Sequence, residues 1–348
     1  MIEKEISSIE SRMAGIDPVR HAAADEPPID PDLPIIDPHH HLWDFPGHRY
    51  LLPELLEDTG SGHNIVATVY IECAAFYRPD GPEVMRPLGE VEFVNGIAAM
   101  SASGRYGPTR AAAGIVGTAD LTQGAAVEGV LLAQIAAAGG RFKGIRHTAG
   151  WEDKTRSIHL SHSNPPRHLY RDHAGFREGF SVLGRLGLSF DAWAYHPQLE
   201  DVISLARAFS DVPIVMNHVG GPLGREYYAD RRDEVFAEWK TGILELATCQ
   251  NVCIKLGGLG MRINGFGFEE KPNAPSSDDL AAAWRPFVET AIEAFGADRA
   301  MFESNFPVDK ISGSYVNYWN AFKKLAAGAS AEERSALFRG TAQRFYRL

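Results

Sequence analysis

Cysteine is scarce: Cys73, Cys249 and Cys253 are the only three in 348 residues. Three thiols cannot all pair, and no Cys-x-x-Cys or Cys/His finger spacing occurs. A reduced, cytoplasmic chain is therefore expected. Long apolar runs are missing as well. None nears the roughly 18 residues that span a bilayer, so no membrane partner is expected. The start, Met1-Ile2-Glu3-Lys4-Glu5, lacks a basic region followed by an apolar core, and no secretory leader is read. Positive charge is the scarcer sign, with 34 Lys and Arg against 45 Asp and Glu and a net charge of −11. That balance argues against nucleic acid as a partner, because a polyanion is repelled.

What is present suits a soluble globular protein, with 45% hydrophobic and 23% charged residues. Residues 1–33 are polar and end in Pro27, Pro28 and Pro31; they read as an extension that wraps the body or stays mobile. Residues 34–348 read as one domain. Within it, β-rich runs recur at 35–39, 65–73, 114–121, 142–147, 188–193, 213–218, 252–256 and 299–305. Ala/Leu/Glu segments such as 127–138, 198–209, 235–249 and 280–295 separate most of them. The segment 81–113 adds helix-like material. Strands alternating with helices imply βα units and a parallel sheet, and eight of them suit a closed (β/α)8 TIM barrel. Two connections are long, 148–175 and 257–278. In a barrel such βα loops lie on the face where sites are built.

Polar residues concentrate where the strands end, and parallel strands would bring those ends to one mouth. The first run ends Asp37-Pro38-His39-His40-His41-Leu42-Trp43-Asp44. A period of two places Asp37, His39 and His41 on one side. Two such imidazoles can bind a divalent cation or hydrogen-bond a substrate carbonyl. The sixth run ends Asn217-His218-Val219-Gly220-Gly221-Pro222, where glycine allows close approach of a ligand. The eighth reads Phe302-Glu303-Ser304-Asn305-Phe306-Pro307-Val308-Asp309. Glu303 and Asn305 share a face there, with Glu303 one layer deeper and Lys255 its candidate partner. Other strand ends supply Glu72, Arg146, His147, Asp191, Tyr195 and His196. Arg146 and Lys255 can hold an anionic group, Arg146 by a two-pronged fork. The loop residues Lys154, Arg156, His159, His162, Arg167, His168, Arg171 and His173 form either a basic lid or a solvated surface.

Together these three motifs resemble the amidohydrolase-2 family over residues 34–348. The nearest branch holds 2-pyrone-4,6-dicarboxylate lactonase and L-fuconolactonase. The resemblance implies an amidohydrolase-like barrel that hydrolyses its substrate, often by opening a lactone. It assigns His39 and His41 to the paired histidines of the first strand and His218 to that of the sixth. In relatives these groups either ligate one metal, here zinc or manganese, or polarise the carbonyl without one. One departure matters. The family carries Phe-Gly-Ser-Asp-Trp-Pro on the eighth strand, and its Asp takes a proton from water. Here Glu303 replaces the Gly and Asn305 replaces the Asp, and an amide accepts no proton at neutral pH. Glu303, Glu72 or Asp309 swinging over the mouth are the substitutes.

Three functions follow from this reading. The first is hydrolysis of a lactone in a small carboxylated, anionic substrate, with metal ligands His39, His41, His218 and Glu303. The second is non-oxidative decarboxylation of an aromatic or dienoic acid, which needs no water base. The third is small-molecule binding without catalysis. Barrels of this type often pair, so a homodimer is expected.

Overall fold

The computed structural model describes residues 21–22, 24–155 and 165–348. Eight parallel strands form one sheet in chain order: β1 (Ile35–His40), β2 (Ile65–Ile71), β3 (Arg110–Gly117), β4 (Phe142–Thr148), β5 (Ser189–Trp193), β6 (Ile214–Met216), β7 (Val252–Leu256) and β8 (Ala300–Phe302). The segment that follows β8 returns to β1. His41 N donates to Phe306 O at 2.9 Å, and Asn305 N donates to His39 O at 3.0 Å. These two bonds close the sheet into a barrel, and Asp37 reinforces the seam by accepting from Ser304 N and Oγ.

Each strand feeds a helix that packs outside the sheet: α1 (Leu52–Thr59), α2 (Leu88–Ala102), α3 (Glu128–Ala137), α4 (Ala174–Leu186), α5 (Leu199–Ala208), α6 (Arg232–Leu246), α7 (Ser277–Phe295) and α8 (Tyr315–Leu325). The expected runs thus appear in order, with strand edges moved by a few residues. The segment 81–113 divides into α2 and the start of β3, which begins four residues earlier than expected. Inside the barrel, Ile36, Val69, Ile71, Val116, Val215 and Met301 form a dry layer. Tyr346, from the terminal helix α9 (Thr341–Tyr346), plugs that layer. Alternate residues such as Tyr70 and Phe302 face the helices instead.

Of the extension, residues 1–20 and 23 lie outside the described residues. The part at 24–30 runs along α8. Asn317 Nδ2 donates to Ala24 O at 2.8 Å, Ile29 N to Asn320 Oδ1 at 2.7 Å, and Lys323 Nζ to Ile29 O and Asp30 O at 2.8 Å each. Among the described residues no helix is long and apolar enough to cross a membrane. Cys73, Cys249 and Cys253 are unpaired.

Candidate active site

The end of β1 does not keep a period of two. Asp37 pairs with Thr68, but His40 pairs with Tyr70, so three steps on β1 match two on β2. This bulge at Pro38 reverses the expected sharing of faces. Ile36 belongs to the barrel interior. Asp37 points outward, where its Oδ2 accepts from Tyr315 Oη at 2.9 Å and from Ser304 Oγ at 2.6 Å. His39 and His41 then face the mouth. His40 faces the helices, with Nε2 2.9 Å from Thr68 Oγ1. Asp37 is thus a seam residue and not a companion of the two histidines.

His218 and Asn305 follow the ends of β6 and β8 in left-handed backbone, with φ of 54° and 56°. Such conformations are costly for non-glycine residues and cluster at sites held by their surroundings. At β7, Gly258 (φ +67°) makes room, since a Cβ there would lie 2.3 Å from His218 Nδ1.

Three buried side chains meet at the mouth. Glu303 Oε1 lies 2.8 Å from His218 Nδ1, and Glu303 Oε2 lies 2.7 Å from His39 Nδ1. The His39 and His218 ring centroids are 4.5 Å apart. One ligand atom from each of His39, His218 and Glu303 falls within 4.8 Å of the others. His41 stands beside this group, its ring 5.0 Å from that of His39 and edge-on. It stands outside the compact cluster of three. Trp193, at the end of β5, meets the His218 ring edge-on at 4.6 Å.

Hydrogen bonds assign the ring protons. His41 Nδ1 lies 2.8 Å from Ile71 O, which only accepts, so Nδ1 carries the proton and Nε2 a lone pair. His218 Nδ1 likewise donates to the Glu303 carboxylate, leaving Nε2 bare. Burial, then the nearby Lys255 and other cationic groups, holds His39 well below the usual histidine range. Burial and Arg146 do the same to His41. Burial lowers His218 too, against the pull of Glu303. The bare Nε2 atoms of His41 and His218 suit a cation, or a water that must give up a proton.

The donor set fits a divalent metal on a direct observation. Glu303 Oε2 is buried and makes no hydrogen bond, although His39 Nδ1 is 2.7 Å away. A buried carboxylate oxygen that accepts no hydrogen bond is costly, and a cation bound to it relieves that cost.

The flanking charges are already matched. Arg146 Nε donates to Glu72 Oε1 at 2.8 Å, and its Nη2 donates to Glu72 O. Only Nη1 turns to the site, 3.5 Å from His39 Nε2. Lys255 Nζ donates to Asp191 Oδ1 at 2.7 Å, nearer than its 3.9 Å approach to Glu303 Oε2. Lys255 and Asp191 lie deep, and Asp191 Oδ1 also takes bonds from Asn217 Nδ2 and Tyr346 Oη. Neither expected anion anchor is therefore a spare cation, and Asp191 supports the site from beneath.

Asn305 Nδ2 donates to Asp309 Oδ1 at 2.8 Å, and Gly260 N donates to Asp309 Oδ2 at 2.8 Å. Asp309 is fully buried and does not swing over the mouth; burial, with Glu303 nearby, pushes its carboxyl well up. Tyr195 packs with Trp193, Leu223 and Tyr228. His196 accepts from Leu223 N at 3.3 Å through Nδ1 and sits against Tyr228, which is a packing role. His147 lines a cavity of about 610 Å³ beside the mouth, together with Glu72, Glu83, Asp120, Thr122 and Gln123.

In the described part of the long loop after β4 the charges are matched locally. His168 pairs with Asp201 at 3.0 Å, Arg171 with Asp172 at 3.0 Å, and His173 Nδ1 caps α4 by accepting from Phe176 N. Lys154 and Arg167 lie over Tyr227 and Trp151. Arg156, His159 and His162 lie outside the described residues. Sequence reasoning missed Trp193, Tyr346 and Gly258. The strand-end position of Trp193 was visible, but nothing in the sequence pointed to the other two.

This architecture, a parallel barrel with imidazoles and a carboxylate gathered at its carboxyl mouth, is an enzyme scaffold. The amidohydrolase family pattern matches residues 36–348, and the chain belongs to that family. It is 34% identical over 339 residues to protein y4mH of Sinorhizobium fredii, covering 91% of this chain and 99% of that one. It is 27% identical over 334 residues to L-fucono-1,5-lactonase of Burkholderia multivorans, covering 90% and 96%. An amidohydrolase from Burkholderia multivorans solved with bound zinc superposes with a TM-score of 0.69 at 25% identity, covering 90% and 99%.

Proposed function

We propose that the protein opens a lactone ring by water attack at this mouth, and that the lactone is a neutral, hydroxyl-rich one. The observation that carries the reading is the buried convergence of His39, His218 and Glu303 at the barrel mouth. In the reaction, water oxygen bonds to the lactone carbonyl carbon and the ring C–O bond breaks. One proton leaves the water and one reaches the released ring oxygen. Glu303 is the carboxylate placed to take the first proton, because Asn305 has none to accept and donates its own N–H to Asp309. Arg146 Nη1, 3.5 Å from His39 Nε2, is a donor that can steady negative charge on the carbonyl oxygen. Were a divalent metal, zinc or manganese, held by His39, His218 and Glu303, it would add Lewis acidity and lower the pKa of water, and Glu303 would serve as its ligand in place of the base role.

Two features favour a neutral substrate over a dicarboxylate. Arg146 and Lys255 are each matched by a carboxylate. A cavity reached through Glu72, itself paired to Arg146, presents Glu83 and Asp120 with hydroxyl, amide and apolar groups, and among the described residues no Lys or Arg lines it to hold an anion. The 27% identical L-fucono-1,5-lactonase supports the same choice.

The test is turnover of a panel of sugar-acid lactones beside a pyrone dicarboxylate, run in heavy-oxygen water. Sugar lactones should be opened, with one solvent oxygen in the product carboxylate. Turnover of the dicarboxylate alone would remove the neutral-substrate half. Release of carbon dioxide without solvent oxygen would replace hydrolysis by decarboxylation.

A further inference from the structure

The amino-terminal end of the barrel, opposite the mouth, gathers charge of the scarce sign. A cavity of about 400 Å³ there is lined by Arg110, Arg141, Lys143, Arg339 and Arg347, with Gln343 among them and a floor that includes Ile36. Arg110 and Lys143 belong to the first turns of β3 and β4, which fixes the cavity at the strand starts. Among the described residues no Asp or Glu lines it; Leu348 completes the wall. In a chain with 45 acids and 34 bases, five cations around one space, with no acidic side chain among the described residues that line it, is a strong asymmetry.

Their hydrogen bonds among the described residues end on uncharged oxygens. Arg110 Nη1 donates to Ala102 O at 2.9 Å and Arg141 Nη1 to Asn95 Oδ1 at 2.7 Å. Lys143 Nζ donates to Arg347 O at 3.2 Å, and Arg347 Nη2 returns a bond to Lys143 O at 3.0 Å. Arg339 Nε donates to Gln343 Oε1 at 3.2 Å. These bonds orient the side chains, and among the described residues none of the five is paired with an acidic side chain. Burial and the neighbouring Arg347 push the Lys143 ammonium below its ordinary value. Like charges held together repel, and an anion between them turns that repulsion into attraction.

We propose that this cavity is a binding site for a multivalent organic anion, a phosphorylated or polycarboxylated small molecule, separate from the hydrolytic site. Guanidinium forks match the paired oxygens of either group. The apolar floor suits a carbon skeleton. The site shares no residue with the mouth, so it stands whether or not the lactone reading does.

Titration calorimetry on the full chain, with pyrophosphate and with citrate as probes at low salt, tests it. Saturable binding of one probe per chain is expected, weakening as salt is added. The doubly substituted Arg110→Ala/Arg339→Ala chain should bind at least about tenfold more weakly, because it loses two charge-assisted donors. Both residues are exposed. Turnover at the mouth and circular dichroism should therefore stay unchanged. Lys143→Gln gives a second, independent loss. Preference for pyrophosphate identifies a phosphoryl ligand, and preference for citrate a carboxylate. No saturable binding of either probe, or equal affinity in wild type and the doubly substituted chain, overturns the proposal.

Discussion

Glu303 receives two hydrogen bonds from His218 on a single oxygen: the backbone N–H reaches Oε1 at 3.0 Å and the ring Nδ1 at 2.8 Å. The carboxylate thereby fixes both the loop after β6 and the ring's tautomer. Glu303→Gln keeps the size but presents an N–H or a weaker acceptor to the same donors. It should lower kcat/KM on a lactone by about 100-fold or more, the usual worth of a positioned acid–base group. Kinetics, with circular dichroism to confirm folding, check this.

Metal content separates two ways of polarising the carbonyl. If His39, His218 and Glu303 hold a cation, elemental analysis finds about one per chain, and chelation abolishes turnover until zinc or manganese is returned. His39→Ala should remove both metal and activity while the barrel stays folded. Full turnover in metal-stripped protein would assign polarisation to Arg146 and the imidazoles alone.

Arg146 and Glu72 form a nearly buried pair, 10% and 9% exposed at their side chains. Removing one partner strands the other's charge. Arg146→Met or Glu72→Gln should each cost about 3 kcal/mol of stability, and the combined Arg146→Met/Glu72→Gln protein should recover a good part of the sum. Urea denaturation of the four proteins measures the coupling. Arg146→Met should also lower kcat on a lactone, since Nη1 is the donor facing the site.

Burial holds His196 at about 4 in the folded protein, below its ordinary value of 6.5. Above pH 6.5 neither state binds the proton and nothing is lost. Below it the unfolded chain takes up a proton that the folded one refuses until about pH 4. Stability therefore falls as pH drops through that window, by about 2 kcal/mol from this residue at pH 5. His196→Asn keeps an acceptor for Leu223 N and removes the proton. Its melting temperature should fall less between about pH 7.5 and 5 than that of the wild type, other groups being common to both. Equal losses would remove His196 from the account.

The alternation of strands and helices was legible because β-rich runs and Ala/Leu/Glu segments carry their own periodicity. The convergence of His39, His218 and Glu303 was legible for one reason: parallel strands deliver their ends to one place. What the sequence could not show depends on neighbours far along the chain. A period of two placed Asp37 beside His39, but the bulge at Pro38 turned it to Tyr315 on α8. Arg146 and Lys255 looked like free anchors, yet Glu72 and Asp191 claim them across adjacent or nearby strands. Charge matching of that kind is a property of the assembled barrel. Tyr346 reaches Asp191 across 155 positions of sequence, which no local pattern encodes. The cavity at the strand starts also escaped notice, because its five cations are scattered between residues 110 and 347.

Two backbone bonds join the first strand to the segment after the last, and His39 and Glu303 stand on either side of that join. Knitting the cylinder shut and assembling its chemistry are consequently one event. A partly opened molecule with most of its helices intact would be silent toward substrate. During gradual denaturation, turnover should vanish with the tightest tertiary signal and ahead of helical content, making the enzyme its own reporter of circular integrity.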